Sequence, residues 1–391
     1  MSVIQPTSVD LHPASYKHLA AGHPWVIKDR FTDKFRAKDR FLLSHGKKGS
    51  SYLLLNDTAH PKIKARLWSK DPDLNTPFED SLKDRLLTAF NKRSELSLKR
   101  ENFFLVFGEG DYIPGLFLLK LGEGLIIFSY APLWKKWQKE LVPFLKENLE
   151  GVHWIAWQER REDQESPLNP LWGKMPKGVV LKEFGSQYQL DFGQGYDLGL
   201  YTDMAAIRSE FSEKFSFEKK SVLNLYSYTG AWSLFPLSLG AKNVVSVDLS
   251  EKYMNWYLEN LKLNEFAGAH KEIVGDTFKA LKSLINSNEK FDFIICDPPS
   301  FSSDGKKTTT SLKSYERLLP LFTELLVPKG QALCFINTHS VTRTKYEETM
   351  AAYSKNLPLK KLSSHGLSQD CPLIKNFPEG DYLKGILYHK Q

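Results

Sequence analysis

The second half of the chain alternates strand-length apolar runs with amphipathic helical stretches, and this alternation limits the folds open to it. The runs are VLNLYS at 222–227, VVSVD at 244–248, EIVGD at 272–276, FDFIICD at 291–297 and ALCFIN at 332–337. Strands separated by helices predict a parallel sheet that is covered on both faces. We therefore predict an α/β, Rossmann-like doubly wound domain over residues 179–391. Tyr382–His389 is expected to be an antiparallel edge strand of that sheet.

The first half of the chain lacks this alternation and is predicted to hold two smaller domains. A length of 391 residues exceeds one ordinary core. Residues 1–72 alternate short apolar runs with polar turns, which predicts a small β-rich module. Residues 73–178 predict a small α+β central domain. Its expected elements are a helix over 78–98, strands at 103–107, 115–120 and 124–129, a helix over 133–148, a strand at 152–158 and a polar linker at 159–176.

Composition excludes several classes of protein. Hydrophobic residues make up 41% and charged residues 25%, as in a soluble globular protein. No apolar run is long enough for a membrane-spanning helix, and the N-terminus has neither the basic start nor the apolar segment of a signal peptide. The three cysteines, Cys296, Cys334 and Cys371, are too scattered for a disulfide framework or a zinc site. We expect a cytoplasmic protein with no metal and no membrane partner.

The positive charge of the chain is concentrated at its start. The net charge is +7, and residues 1–70 hold 13 Lys and Arg against 5 Asp, or +8. The remaining residues hold 40 basic against 41 acidic residues, or −1. This placement is typical of a surface that contacts a phosphate backbone. A merely solvated basic face gives the same pattern, and that interpretation stays open.

The first predicted strand of the sheet runs into Tyr226-Ser227-Tyr228-Thr229-Gly230 and then a helix. A tight turn with one glycine at a helix start lets backbone N–H groups meet a ligand carboxylate or ribose. A sheet of this kind could also belong to a nicotinamide-dependent dehydrogenase. The G-x-G-x-x-G loop that such an enzyme needs is missing from this sequence.

Acidic residues end the second and third predicted strands, at the sheet edge where ligands bind. Asp248 has the position from which a carboxylate accepts the ribose hydroxyls of an adenosine-type ligand. Asp276 is placed to accept a hydrogen bond from an adenine amino group. Each acid could instead cap the helix that follows it, so that alternative stays open for both.

The fourth predicted strand ends in Asp297-Pro298-Pro299-Ser300-Phe301, the most specific signal in the chain. Two prolines fix the backbone and remove N–H donors, which leaves carbonyls and a carboxylate facing the cleft. Such a turn suits a planar, amino-bearing base, and Phe301 could stack on it. A turn that only ends the strand is the alternative. The polar stretch that follows contains Lys306 and Lys307, which predict either a phosphate-gripping flap or a solvated loop.

Several segments resemble one family over essentially the whole chain: the class I S-adenosylmethionine (SAM)-dependent methyltransferases of large-subunit 23S ribosomal RNA that carry an N-terminal PUA domain. The similar segments are His23–Val26, Gly108–Leu116, Gly199–Met204 with Arg208, Asn224–Gly230, Val247–Ser250 and Phe377–Gly380. The resemblance implies a PUA-like RNA-binding domain at 1–72, SAM as cofactor and ribosomal RNA as partner, and it leaves a homodimer open.

The resemblance also implies roles for individual residues. Asp248 would bind the ribose of SAM, Asp276 its adenine and Tyr228–Gly230 its methionyl end, while Asp297 would lie at the point of methyl transfer. The full predicted sets are Asn224, Tyr226, Tyr228, Thr229, Gly230, Asp248, Ser250, Asp276, Thr277 and Asp297 for the cofactor, Arg208, Phe301, Lys306 and Lys307 for the substrate, and Asp297, Pro298 and Asn337 for catalysis.

One departure from the family pattern bears on the chemistry. Members that methylate cytosine at C5 carry a nucleophilic cysteine where this chain has Asn337, and C5 methylation requires that thiolate. Members that methylate guanine at N7 are closer to this sequence there, and N7 needs only positioning. We therefore expect transfer to a base nitrogen such as guanine N7. Cytosine-C5 methylation and a catalytically silent RNA-binding relative are the alternatives. Cys296 and Cys334 are expected in the core.

Overall fold

The computed structural model describes residues 4–46, 49–58, 60–160, 166–193, 197–303 and 308–391, with backbone alone for residues 97, 301–303 and 308–309. The chain divides into two units. Unit 1 comprises Met1–Val179, Asp191–Leu198 and Asp370–Gly380, and unit 2 comprises Val180–Leu190, Gly199–Gln369 and Asp381–Gln391. Two segments of the range 179–391 thus belong to unit 1. The subdivision of the first half at residue 72 stays a prediction.

Unit 1 begins with a five-stranded sheet in the order β1-β3-β4-β5-β2. The Nδ1 atom of His12 accepts a 3.1 Å hydrogen bond from the backbone N–H of Ala14, and Pro13 begins the helix α1. Gly22, in the left-handed region, ends that helix. The elements are β1 (Thr7–Ser8), α1 (Pro13–Ala21), β2 (Trp25–Ile27), β3 (Phe41–His45), β4 (Ser51–Asn56) and β5 (Ile63–Lys70).

A second five-stranded sheet of unit 1 has the order β10-β9-β8-β7-β6. Its elements are α2 (Phe78–Asn91), β6 (Asn102–Phe107), β7 (Leu116–Leu121), β8 (Gly124–Ser129), α3 (Gln138–Asn148), β9 (Trp154–Glu159) and β10 (Asn169–Trp172). The predicted helix over 78–98 ends at Asn91, because the apolar periodicity stops at Phe90, and only a 3-10 turn follows at Leu96–Leu98. The predicted linker contains β10, whose four residues begin with the exposed Asn169 and Pro170 and are too few to show an apolar pattern.

Unit 2 is built on a seven-stranded sheet in the order β15-β14-β13-β16-β19-β21-β20. A hairpin of β11 and β12 precedes it, and β17 pairs with β18 outside it. The strands are β11 (Gly178–Glu183), β12 (Ser186–Asp191), β13 (Ser221–Leu225), β14 (Asn243–Asp248), β15 (Ala269–Val274), β16 (Phe291–Cys296), β17 (Phe301–Ser303), β18 (Thr308–Thr310), β19 (Leu326–Asn337), β20 (Leu359–His365) and β21 (Leu383–Lys390). The helices are α4 (Ala205–Lys214), α5 (Ala231–Ser238), α6 (Glu251–Lys262), α7 (Thr277–Asn286), α8 (Ser311–Leu325) and α9 (Arg343–Ser354).

The five predicted parallel strands are confirmed, and with them the α/β class of this half of the chain. One prediction about the sheet was wrong. The last strand, β21, is antiparallel but lies inside the sheet between β19 and β20. The true edge is β20, which the sequence did not predict because its residues are mostly polar and exposed.

The sheet reverses its strand order at β13, the first of its strands in the sequence. From there the chain builds outward to β14 and β15 on one side and to β16 and β19 on the other. In open parallel sheets, ligands bind beyond the carboxyl ends of the strands at such a reversal. Within the described part of the chain, every helix is too short or too polar to cross a bilayer.

Candidate active site

The loop after β13 is held in a tightly strained shape. Tyr226, Tyr228 and Gly230 all have positive φ, at 58°, 52° and 87°. A Cβ atom on Gly230 would lie 2.0 Å from Cδ2 of Tyr257, so only glycine fits there. The buried Thr229 donates a 2.6 Å hydrogen bond from its hydroxyl to the carbonyl of Gly199. Non-glycine residues in this conformation cost about 1–2 kcal/mol each and mark functional loops.

Asp248 ends β14 beside that loop, and two backbone donors fix its carboxylate. Oδ2 accepts a 2.8 Å hydrogen bond from the N–H of Tyr228, and Oδ1 accepts a 2.9 Å bond from the N–H of Ser250. Each carboxylate oxygen keeps a further lone pair that a ligand hydroxyl can use. Ser250 itself caps α6, with its hydroxyl accepting from the N–H of Tyr253 at 3.3 Å. The half-exposed carboxylate is thus held in place to accept a diol.

Asp276 caps α7, as one of its two interpretations predicted. Its Oδ1 accepts a 2.9 Å hydrogen bond from the N–H of Lys279, which leaves Oδ2 for a ligand. Thr277 is buried next to it, close enough to the hydroxyl of Tyr226 to affect its pKa. Burial, above all other causes, raises the pKa of that tyrosine. The structure therefore brings the ends of β13 and β15 together around these side chains.

Two apolar side chains that were not predicted lie exposed at this edge. Leu249, directly after Asp248, is 75% exposed, and Val274 is 50% exposed. Val274 is the register partner of Asp248 across β14 and β15. Apolar surface beside two carboxylates is the combination that a planar, amino-bearing ring requires. The available sequence signal was an apolar residue immediately after a strand-ending acid.

Asp297 follows β16 and differs from the other acids in what surrounds it. Its Oδ1 is buried and has no hydrogen-bond partner among the described residues. Burial, and secondarily the charge of Asp203, raises the pKa of Asp297 to about 7. Pro298 is buried beside it. An unpaired buried acceptor of this kind suits a ligand that brings its own donor.

Asn337 ends β19, the strand next to β16 in the sheet. The hydroxyl of Ser300 donates to the carbonyl of Asn337, which ties the Asp-Pro-Pro-Ser turn to the end of β19. The two strands are parallel with Cys296 opposite Cys334, so Asp297 and Asn337 lie at the same sheet edge. The prediction that these residues share one site is consistent with this placement.

Asp203 was not predicted as a site residue. It is buried, accepts a 2.9 Å hydrogen bond from the hydroxyl of Tyr382, and acts electrostatically on Asp297. Its short segment, Thr202–Met204, carries no strand or helix periodicity that would mark it. Only the tertiary fold brings it to Asp297.

Two residues predicted to contact ligands are buried and bonded to other parts of the protein. Asn224 is 2% exposed, and its amide donates a 2.8 Å hydrogen bond to the hydroxyl of Ser233 in α5. Arg208 is 1% exposed and pairs with Glu183 at 2.5 Å. Both side chains brace the interior because their polar groups are already bonded there. The side chain of Phe301 and the whole of Lys306 and Lys307 lie outside the described residues.

Neither cysteine of the sheet is available as a nucleophile. Cys296 and Cys334 are both fully buried, and burial raises the pKa of each thiol. The hydroxyl of Tyr315 closes the space between the strands by donating to the carbonyls of Cys296 and Phe335 at 2.8 and 2.7 Å. A thiol in such surroundings stays protonated and packs as an apolar side chain.

Comparison with known proteins assigns this arrangement to a family. Residues 147–362 match the family model of the S-adenosylmethionine-dependent methyltransferases, which covers more than half of the chain. The chain belongs to that family. This methyltransferase therefore uses SAM as its cofactor.

Relatives of the methyltransferase match it along its whole length. Ribosomal RNA large subunit methyltransferase I of Pseudoalteromonas translucida is 26% identical, over 97% of this chain and 98% of that protein. The protein of the same name from Cronobacter sakazakii is 27% identical, over 95% and 96%. A methyltransferase solved in complex with SAH has a TM-score of 0.86 at 20% identity, over 98% of this chain and 100% of that chain. The solved structure supports the fold.

Proposed function

We propose that this methyltransferase transfers the methyl group of SAM to a base of large-subunit ribosomal RNA. The substrate is inferred from the similarity to relatives named ribosomal RNA large subunit methyltransferase I. This similarity extends over both units. The basic start of the chain supports it, because most of those cations are exposed to solvent, where a phosphate backbone can reach them. The exposed cations of the basic surface are Lys17, Lys28, Arg30, Lys34, Arg36, Lys38, Arg40, Lys62 and Lys70. Residues 1–72 would then be the PUA-like RNA-binding domain.

The proposed SAM site lies at the carboxyl ends of β13, β14 and β15. Asp248 would accept the two ribose hydroxyls, and Leu249 and Val274 would pack on the adenine. Asp276, through Oδ2, and Thr277 would meet the adenine edge. The backbone of the loop at Tyr226, Tyr228, Thr229 and Gly230 would hold the methionyl end, and Ser250 would keep the carboxylate of Asp248 in place. SAM supplies an electrophilic methyl group on a sulfonium.

We infer that the methyl acceptor is a base nitrogen, with guanine N7 as the first candidate. The cysteines of the sheet are buried and protonated, and Asn337 occupies the strand end where a thiolate would be needed for C5 chemistry. Asp297 would accept a hydrogen bond from the amino group of the base through its unpaired Oδ1, and Asn337 would hold the same edge. The carboxylate would also stabilise the positive charge that N7 methylation leaves on the ring.

Mass spectrometry of nucleosides from ribosomal RNA, with and without the gene, tests this function. Loss of one methylated guanosine without the gene is expected. Loss of 5-methylcytidine would instead favour the C5 alternative, and an unchanged profile would favour a silent RNA-binding relative. In vitro, Asn337→Ala should lower turnover by roughly 10–1000-fold, the effect of losing one positioning hydrogen bond at the reacting atoms. Ser340→Ala, three residues further along, is the matched control.

RNA that contains 5-fluorocytosine provides the opposing test, because it traps enzymes that attack cytosine covalently. No stable protein–RNA adduct is expected here. An adduct that disappears in Cys296→Ser or Cys334→Ser would overturn transfer to a nitrogen and identify that cysteine as the nucleophile.

A further inference from the structure

A small pocket of unit 1 lies between the last turns of α2 and the loop that follows β6. Its volume is about 270 Å³, and its lining includes Asp84, Arg85, Thr88, Lys92, Asp111 and Tyr112. The helix residues recur at the spacing of one helical face, and the other wall is the loop at Asp111–Tyr112. No role predicted from the sequence or proposed above uses this pocket.

Tyr112 is the unusual residue of the pocket. Its φ is 60°, in the left-handed region that glycine adopts freely, and its side chain is 60% exposed. A large aromatic residue is disfavoured there by its backbone, and an exposed ring recovers little from burial. Strain of this kind persists where the side chain has a use. The exposed ring in the pocket wall is a flat aromatic surface on which another ring can stack, and stacking is therefore the use that we consider.

The charges around Tyr112 favour an anion next to that ring. Arg85 has its guanidinium 3.7 Å from the ring centroid of Trp68 and donates to the carbonyl of Tyr112, so it is fixed in place. Lys92 is exposed, and among the described residues no carboxylate lies within salt-bridge distance of it. Asp111 contributes little negative charge, because Arg93 pairs with its carboxylate at 2.6 and 3.0 Å.

We propose that this pocket binds one unpaired nucleotide of the RNA substrate, with its base stacked on Tyr112 and its phosphate at Lys92 and Arg85. The proposal rests on the proposed function and adds a contact in unit 1 to it. Unpaired bases of RNA are recognised by stacking on aromatic side chains, and neighbouring cations hold their phosphates. Asp84, exposed at the rim, would disfavour a phosphate on its own side and so orient the nucleotide towards Lys92.

Tyr112→Gly separates this role from a structural one, because glycine relieves the backbone strain while it removes the ring. Affinity for in vitro transcribed large-subunit ribosomal RNA should fall about 5- to 100-fold, the range for losing one stacked base. The thermal midpoint should not fall, and SAM affinity should stay unchanged. Tyr112→Phe should bind RNA like the wild type. Asn288→Gly, which relieves positive φ at an exposed position of unit 2, is the control for strain alone.

The contribution of the cation is tested in parallel. Lys92→Ala should weaken RNA binding and reduce its salt dependence by about one phosphate contact, whereas Lys83→Ala, an exposed lysine of the same helix outside the pocket, should do neither. Binding of a fully paired RNA duplex should be unaffected by Tyr112→Gly.

Two results would contradict nucleotide binding in this pocket while leaving the proposed function intact. The first is a wild type that methylates ribosomal RNA together with a Tyr112→Gly variant of unchanged RNA affinity. The second is a variant that binds the free RNA normally but binds the large ribosomal subunit poorly, which would show that the ring contacts protein. A wild type that neither binds nor methylates ribosomal RNA would instead remove the proposed function itself.

Discussion

At the scale of single residues, the three strand-ending acids differ in what already binds them. Asp248 is fixed by two backbone N–H groups, and Asp276 caps a helix with one oxygen. Asp297 has a buried oxygen with no partner among the described residues. The carboxylates of Asp248 and Asp276 are therefore oriented before a ligand binds. The carboxyl group of Asp297 gains most from a hydrogen bond that a ligand donates.

Asp248→Ala should lower SAM affinity by at least tenfold, because it removes two charge-assisted hydrogen bonds worth ~2–4 kcal/mol in total. Calorimetry measures the affinity, and thermal unfolding checks that the fold persists. Ser250→Ala is the matched control. It removes the α6 cap, at a cost of about 1 kcal/mol of stability, and should leave SAM affinity nearly unchanged, because the backbone N–H of residue 250 still holds Asp248. Equal affinity for wild type and Asp248→Ala would contradict the ribose assignment.

Asp297 should make both activity and stability depend on pH. Its pKa of about 7 means that the carboxylate forms as pH rises through that value, so kcat/KM for RNA should rise there in the wild type. Asp297→Asn should abolish this rise. Between its unfolded pKa of 3.8 and about 7 the folded protein holds a proton that the unfolded chain releases. Stability from this group is thus full below pH 3.8 and is lost as pH rises through about 7.

Urea unfolding at pH 5 and pH 8 measures that loss, and the Asn variant should not show it. A pH profile of kcat/KM that is identical in wild type and Asp297→Asn would show that another group titrates.

At the scale of elements, the strands form the buried base of the site, and the polar side chains of the site stand at their ends and in the loops that follow. The sequence predicted the strands whose apolar runs are buried on both faces, such as β13 and β16, because burial leaves a continuous apolar signal. It did not predict β20, whose residues are largely exposed, or β10, which has two exposed and two half-buried residues. These strands form because they pair with a neighbouring strand, and the hydrophobic pattern of their own sequence does not indicate that pairing.

The same contrast separates the site residues. Asp248 and Asp297 could be singled out because each stands at the carboxyl end of a strand, Asp248 as its last residue and Asp297 directly after it. Asp203 could not, because only the fold brings it to Asp297, and Arg208 was assigned to the substrate although Glu183 binds it internally. A charged residue in a sequence does not reveal whether its partner is solvent, ligand or another buried side chain.

Gly230→Ala tests the loop after β13. The added Cβ would meet Tyr257 at 2.0 Å and would sit at a φ of 87°, so the loop must move. SAM affinity should fall at least tenfold, with a loss of about 1–3 kcal/mol in stability. Gly240→Ala is the matched control, because its φ is 84° and its nearest neighbouring atom lies at 3.5 Å. It should cost stability alone. Similar SAM affinities in the two variants would contradict a role for the loop in binding.

At the scale of the whole molecule, charge and chemistry lie on different units of one chain. The basic surface belongs to unit 1, and Asp248 and Asp297 belong to unit 2. Deleting residues 1–72 would not separate the two functions cleanly, because Leu53, Leu55 and Trp68 share a core with Phe78. Replacing exposed charges leaves that core intact.

The triple variant Lys28→Ala, Arg30→Ala and Lys34→Ala should therefore flatten the salt dependence of RNA binding. Each lost phosphate contact reduces the slope of log K against log salt by about 0.7–0.9, so a change of roughly 2 is expected. SAM affinity should stay constant. The matched control replaces three exposed lysines of unit 2, Lys282, Lys355 and Lys360. An equal change of slope in both variants would show that the basic surface contacts no phosphate.

The segment Asp370–Gly380 gives the order of synthesis a consequence for unit 1. Asp370 pairs with the buried Arg100 at 2.5 Å, accepts from the N–H of Phe104 at 2.7 Å, and offers its carbonyl to Arg93. When Val179 has just been added to the nascent chain, Asp370 has not yet been made. The roughly 190 residues between them, at 5–20 residues/s, delay these acceptors by about 10–40 s. During that interval the guanidinium groups of Arg93 and Arg100 each lack one acceptor that the finished fold provides. Unit 1 can therefore complete these buried contacts only after the segment Asp370–Gly380 has been made.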